Sequence, residues 1–414
     1  MDVRNSCHKE CRIVEGVAAR LKSAIAMEIE ALTPGRRRLS LLAVNLCVLG
    51  VGVGIGALVP LMALRLAERG VGATVIGLNA AMFPLAVLVV GPMLPRLLAR
   101  LGSLRSLYLG LSVTALSVLL LPLLPSLGAW FLLRFLSGAA ASIQWVISET
   151  WLNIVATERD RGRIMGLYAS VLAAGFAIGP LIISAVGIDG WLPFLLVAFA
   201  IALGALPIFF AGDLVPPMPA QSQASLLATL RVQPLVMACG LAGGLMDFAL
   251  FAFLPIYGLG HGLSEDGAVL ILSLFIGGNV LLQIPIGWVA DHMSRRAMLL
   301  VVILVTLLGA LLLPLAIGAG WWLYPLLVLW GGTTFAVYTL ALGLLGDSFP
   351  PAQLAAANVA LVMVYQVGSV IGPTLSGTAI DLTGPEGLVA VVAVSATALL
   401  IAFFKIGKPA PRRG

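Results

Sequence analysis

The sequence predicts an all-α polytopic membrane protein, with twelve helices crossing the bilayer as two six-helix pseudo-repeats. Three observations carry this reading. The 414 residues are 60% hydrophobic and only 10% charged, against ~25% charged in soluble domains, so the apolar surface needs lipid as its solvent. The apolar residues form runs long enough to cross a ~30 Å hydrocarbon layer at ~1.5 Å per residue, without the period of two that a β-barrel requires. Landmarks of the first half also recur in the second. The 46 glycines and 24 prolines show no collagen period, and four cysteines are too few for a disulfide scaffold.

Taken in order, the apolar runs place spans over 39–64, 73–95, 104–124, 127–151, 162–186 and 191–212, then over 235–258, 267–290, 297–317, 322–346, 355–380 and 387–404. Residues 1–38 are charged and mixed, and read as a cytoplasmic tail. They contain no short apolar stretch with a small-residue cleavage site, so no cleaved leader is expected; Met27 offers a second initiator. Residues 213–234, rich in Pro, Gln, Ser and Ala, read as a cytoplasmic linker between a six-helix bundle over 39–212 and another over 235–404, with a tail over 405–414. All but three of the 24 basic residues fall on the side of the termini; Arg65 and Arg69 lie opposite and Arg134 lies inside a span. The positive-inside rule then makes both termini cytoplasmic, and the net charge of +6 reflects topology rather than nucleic-acid binding.

The repeat is visible in particular residues. Gly91 and Gly287 sit near the cytoplasmic ends of spans two and eight, and Glu149 and Asp347 end spans four and ten. Gly175, Ile178, Gly179 and Pro180 in span five recur as Gly368, Ile371, Gly372 and Pro373 in span eleven. Two parallel repeats imply a substrate site between the halves near the midplane and alternating access around it.

Gly287, Asp291, Arg295 and Arg296 are spaced as in the G-x-x-x-D-R-x-G-R-R loop of a known transporter family, with His292 and Ser294 departing from it. The first-half copy keeps Gly91, Arg96 and Arg100 but has Pro95 in place of the acid. Arg134 and Gly138 match an R-x-x-x-G element, and Gly175, Gly179 and Pro180 an antiporter-type G-x-x-x-G-P element. In this order and repetition the motifs resemble a bacterial major facilitator superfamily transporter of the drug or sugar efflux branch. The resemblance covers residues 39–404. It implies an inner-membrane monomer in which spans one, four, seven and ten line the central cavity.

Ionisable groups inside a bilayer are costly, by ~2.5 to 3.5 kcal/mol on insertion scales, and few are present. Arg134 lies one to two turns inside span four, and Asp247 lies near the centre of span seven. The resemblance lets them face the same water-filled space, where making and breaking their contact would load and release a proton; a permanent pair joining the halves is the structural alternative. Glu149 shares a helix stripe with Arg134, Gly138, Ser142 and Trp145. It is expected to pair with Arg96 or Arg100, as Asp347 does with Arg295 or Arg296, forming a cytoplasmic gate with Asp291. Asn45, Gln144, Trp145, Asn279, Gln283, Tyr338 and Gln366 are candidate cavity contacts, with hydrogen bonding between packed helices as the alternative. Gly179–Pro180 and Gly372–Pro373 are expected to kink their spans.

These readings predict a secondary carrier of a small neutral, zwitterionic or weakly cationic solute, with proton-coupled efflux driven by the proton gradient and no cofactor. Highly charged substrates would call for several more basic groups. Cys7, His8 and Cys11 fall short of a four-ligand metal set, so no metal is expected. An embedded transferase is disfavoured because His8, His261 and His292 all lie outside the spans and no hydrolase or nucleotide-loop motif occurs. A lipid flippase or a transporter-like sensor remains as the alternative class.

Overall fold

The computed structural model describes residues 33–157, 160–216, 233–318, 320–349 and 351–406. Most of the expected N-terminal tail, including Cys7, His8, Cys11 and Met27, most of the linker and the last eight residues lie outside the described residues. Among those described there is no strand, and twelve helices are long and apolar enough to cross a membrane. They are α1 (Pro34–Glu68), α2 (Ala73–Leu101), α3 (Ser103–Leu120), α4 (Leu127–Val155), α5 (Arg163–Val186), α6 (Leu192–Leu214), α7 (Pro234–Gly260), α8 (Glu265–Ala290), α9 (Arg295–Ala316), α10 (Gly320–Ser348), α11 (Ala357–Thr383) and α12 (Glu386–Ile406). The all-helical, twelve-span fold class is thus as the composition requires.

α1 begins at Pro34 rather than near residue 39. Thr33 accepts a hydrogen bond from the Arg36 amide at its side chain and Pro34 occupies the first helical position, a favourable helix start even in polar sequence. Arg36 and Arg37 therefore ride on the helix instead of in a tail, and they tie it to its own half: Arg36 pairs with Asp213, and Arg37 pairs with Asp160 at 2.6 Å.

Small residues set the packing inside each half. A Cβ on Gly52 would lie 2.9 Å from the Leu172 carbonyl of α5, and one on Gly175 2.8 Å from the Leu49 carbonyl of α1, so only glycine allows these backbones to approach so closely. Gly179 meets Gly56 and Ala57 in the same way, and Gly372 meets Leu245 of α7. Both prolines lie within unbroken helix. Gly179 and Gly372 therefore serve packing within a half, while Pro373 also faces Gly77 of the opposite half.

The halves meet where α2 packs on α11, α5 on α8 and α1 on α7. With twelve spans, the described ends at Pro34 and Ile406 lie on one face, called here the terminal face; the other is the distal face. The apolar core of the first half runs without interruption into the distal parts of α7, α8, α9, α10 and α12. The terminal ends of the second half form a separate core around Val236, Leu299, Val337 and Leu361. The apolar core is thus shared by the halves toward the distal face and splits in two toward the terminal face, where α2 and α11 still meet at Gly91 and Met363.

Candidate functional site

Asp247 sits at the middle of α7, buried to 1% exposure. The Tyr365 hydroxyl on α11 donates a hydrogen bond of 2.8 Å to its Oδ2, and its Oδ1 has no partner. Tyr365 in turn lies against Tyr338 of α10, with ring centroids 4.8 Å apart. Across the space between the halves, Glu149 of α4 accepts hydrogen bonds from Trp145 Nε1 at 2.8 Å and from the Tyr168 hydroxyl at 3.3 Å, and lies within electrostatic reach of Tyr338. Each of the two acids, on opposite halves, thus accepts a hydrogen bond from a phenol of its own half. Trp145, Glu149, Tyr338 and Tyr365 are half-buried, and α4 and α10 do not pack closely on each other. On the distal side this arrangement is floored by aromatic rings: Phe176 of α5 meets Phe251 of α7 at 5.9 Å, and Phe251 meets Phe335 of α10 at 6.0 Å.

Arg134 is elsewhere, which corrects the expected pairing. It is buried inside the first half beside Val51, Leu58, Phe83 and Thr114, and neither it nor Asp247 has an ion-pair partner among the described residues. Depth and direction both explain this. Arg134 is seven residues from the distal start of α4 and Asp247 thirteen from the distal end of α7, a difference in depth of about 10 Å at ~1.5 Å per residue. The guanidinium also points back into its own bundle, with its carbon 5.8 Å from the Phe83 ring.

The expected gate pairs divide. Arg295 Nη1 reaches Asp347 at 2.6 Å and the Gly343 carbonyl at 3.1 Å, as the second-half reading anticipates, and Arg296 lies over Phe403 at 5.1 Å. Glu149 is bonded to Trp145 and Tyr168 instead of Arg96 or Arg100, because one partner is a helical turn away on its own stripe and the other on the adjoining α5. Arg96 and Arg100 are exposed. The Asp291 side chain lies outside the described residues. Each of these ion pairs at the terminal face joins elements of one half.

The uncharged candidates also separate. Gln144 is buried and donates to Thr114 of α3 at 3.1 Å, and Asn45 donates to the Leu41 carbonyl one turn back at 2.8 Å; both are packing roles within the first half. Gln283 donates to Thr339, joining α8 to α10. Gln366 is buried with its carbonyl oxygen unpaired, and Asn279 is half-buried.

The sequence reading missed a contact that crosses the halves. α2 starts after Gly72, which has no side chain with which to cap it. The carboxylate of Asp381, at the distal end of α11, accepts from the Ala73 and Thr74 amides at 2.8 Å each and from the Thr74 hydroxyl at 2.6 Å. It does what an N-cap residue does, satisfying free N–H groups and placing negative charge at the positive end of a helix dipole, but it comes from the opposite half. Below it, Gly377 faces Ala73, and Gly77 faces the Pro373 carbonyl and Thr374, with no room for a Cβ at either position. The only sequence signal was a helix start lacking its own cap.

Twelve spanning helices in two halves, packed around a mid-depth acid, have the architecture of a membrane transporter. The chain belongs to the Major Facilitator Superfamily, whose model matches residues 44–276 and 262–414. It is similar to the uncharacterized MFS-type transporter YfkF of Bacillus subtilis, 27% identical over 374 residues covering 86% of this chain and 93% of the relative. Among solved structures it shares its fold with the nucleoside transporter NupG, with a TM-score of 0.68 at 15% identity, covering 91% of this chain and all of that one. A bacterial homolog of the human lysosomal transporter Spinster, in an inward-facing conformation, gives 0.67 at 14% identity, covering 90% and 94%. The family and these neighbours are transporters and not enzymes.

Proposed function

We propose that this transporter is a proton-coupled carrier, exporting a small neutral, zwitterionic or weakly cationic solute, with Asp247 as the group that takes and releases the proton. The observation that carries the proposal is a carboxylate at mid-span with no cation beside it, one oxygen held by Tyr365 and the other unpartnered. Placing an ionised carboxylate in such surroundings is strongly unfavourable, so it recruits either a proton or a cationic solute, and the two compete. Glu149, on the facing half, supplies the station nearer the terminal face. The excess of basic residues on the terminal face supports reading it as cytoplasmic, and the split of the apolar core there supports an inward-open state. Arg96 and Arg100 remain free to meet Glu149 when that face closes.

The test is flux in proteoliposomes with and without an imposed pH gradient. Native protein is expected to transport faster with the gradient, and Asp247→Asn to lose that acceleration while keeping residual exchange. Native flux indifferent to the gradient would exclude proton coupling, and undiminished coupling in Asp247→Asn would remove this residue from the mechanism.

A further inference from the structure

The distal ends of α7 and α12 are joined by a side-chain cluster that lies apart from the two mid-depth acids. His261 directly follows the last residue of α7. Its Nδ1 is 2.9 Å from the Tyr257 carbonyl, and its Nε2 is 2.9 Å from Oε1 of Glu386, the first residue of α12. The Tyr257 hydroxyl, on a residue only 1% exposed, donates to the same carboxylate at 3.2 and 3.3 Å. The imidazole also lies on the Tyr257 ring, with centroids 4.2 Å apart. Pro385 packs beside Gly260, where a Cβ would come within 2.8 Å of it.

These partners decide the protonation of the ring. A carbonyl oxygen only accepts, so Nδ1 carries a hydrogen; an ionised carboxylate only accepts, so Nε2 carries one as well. The arrangement is that of an imidazolium. Its charge is favoured by the Glu386 carboxylate, by the carbonyl end of α7 and by the face of Tyr257. Glu386, at the amide end of α12, is favoured as an anion in turn. A neutral ring has a single hydrogen, so it must give up one of its two bonds and the ion pair with it.

Imidazole is the side chain that ordinarily changes charge between pH 5 and 8. The other charged or titratable groups on elements packed against this end of α7 are Glu265 and Asp266 in the first turn of α8, Asp381 of α11, which caps α2, Arg65 and Glu68 of α1, which pair with each other, and Tyr324 of α10. Among the described residues none of these bonds to the imidazole. We propose that His261, Tyr257 and Glu386 form a proton-operated tie between α7 and α12, made when the imidazole is charged and released as the pH at the distal face rises. The tie pins the distal end of the helix that carries Asp247. With the distal face outward, it makes the freedom of that helix end follow the acidity of the outer medium.

The experiment follows amide hydrogen exchange in the full chain, purified in detergent, at pH 5.5 and pH 8.5 after correction for the intrinsic pH dependence of exchange. Protection of the last turn of α7 and the first turn of α12 is expected to fall by about fivefold at the higher pH. In His261→Gln, whose amide donates but does not titrate, protection is expected to be equal at the two values. Unchanged protection in the native chain, or the full change persisting in His261→Gln, overturns the proposal. Glu386→Gln gives a second reading, because its imidazole still titrates but has no carboxylate to lose: the change is expected to shrink, and an undiminished one also overturns the tie. No flux enters the measurement, so the result is decided separately from the role of Asp247.

Discussion

At the distal face the two halves touch through backbone and carboxylate: Gly77 and Gly377 bring α2 and α11 together, and Asp381 completes the first turn of α2. At the terminal face the described ion pairs stay within one half, Arg36 with Asp213, Arg37 with Asp160, and Arg295 with Asp347. The distal contact is short-range and steric, so it is either made or lost. The terminal pairs keep the helix ends of each half in order whichever way the halves lean. The proposed transport cycle needs both, because in it the halves move as bodies while the contacts between them switch.

The largest break in this contrast should come from adding a methyl group to the distal contact. Gly77→Ala puts a Cβ against the Pro373 carbonyl, and overpacking of this kind costs ~1 to 3 kcal/mol, roughly a 5- to 150-fold shift of population toward the distal-open state. Distances from spin labels placed on the distal ends of α2 and α11 would show it; an unchanged distribution sinks the steric account. Asp381→Ala should act in the same direction more weakly. Losing a cap costs about 1 kcal/mol, several-fold in population, and no change in the same distances would mean that the carboxylate is incidental.

Tyr365→Phe removes the hydroxyl that holds Asp247. A hydrogen bond to a charged group contributes ~1.5 to 3 kcal/mol, so the pH dependence of flux should move while expression is kept. An unaltered pH profile would separate Tyr365 from the coupling step. The smallest effect is expected at the terminal face. The hydrogen bond from Arg37, with help from Thr157, holds the Asp160 carboxyl down to about 2. A carboxylate so lowered contributes stability above its unfolded value of about 4, and this is lost as pH falls toward 2. Asp160→Asn should therefore leave the conformational balance unchanged between pH 5 and 8, and a shift there would show that this pair reaches across the halves.

The fold was legible because a spanning helix announces itself locally: apolar runs of sufficient length need no knowledge of partners. Asp247 was legible for the same reason, since an acid in the middle of an apolar run is conspicuous. Direction and depth were not. Arg134 is equally conspicuous, but whether it faces the second half or its own bundle depends on how α4 is rotated against α1 and α2. Glu149 found Trp145 and Tyr168 before any arginine because short-range geometry outweighs opposite charge on an exposed segment. Asp381 was the least readable, since acids are common at helix ends and its partners are 308 and 307 residues distant in the chain.

That separation has a consequence for how the protein is made. α2 is synthesised long before Asp381 exists, so its opening turn leaves the ribosome with amides that only water can satisfy. The turn is completed when α11 arrives and the second half takes its place beside the first. The first turn of α2 is therefore a local register of whether both halves have been assembled, and exchange of the Ala73 and Thr74 amides would report, in a chain stopped before or after α11, when that happens.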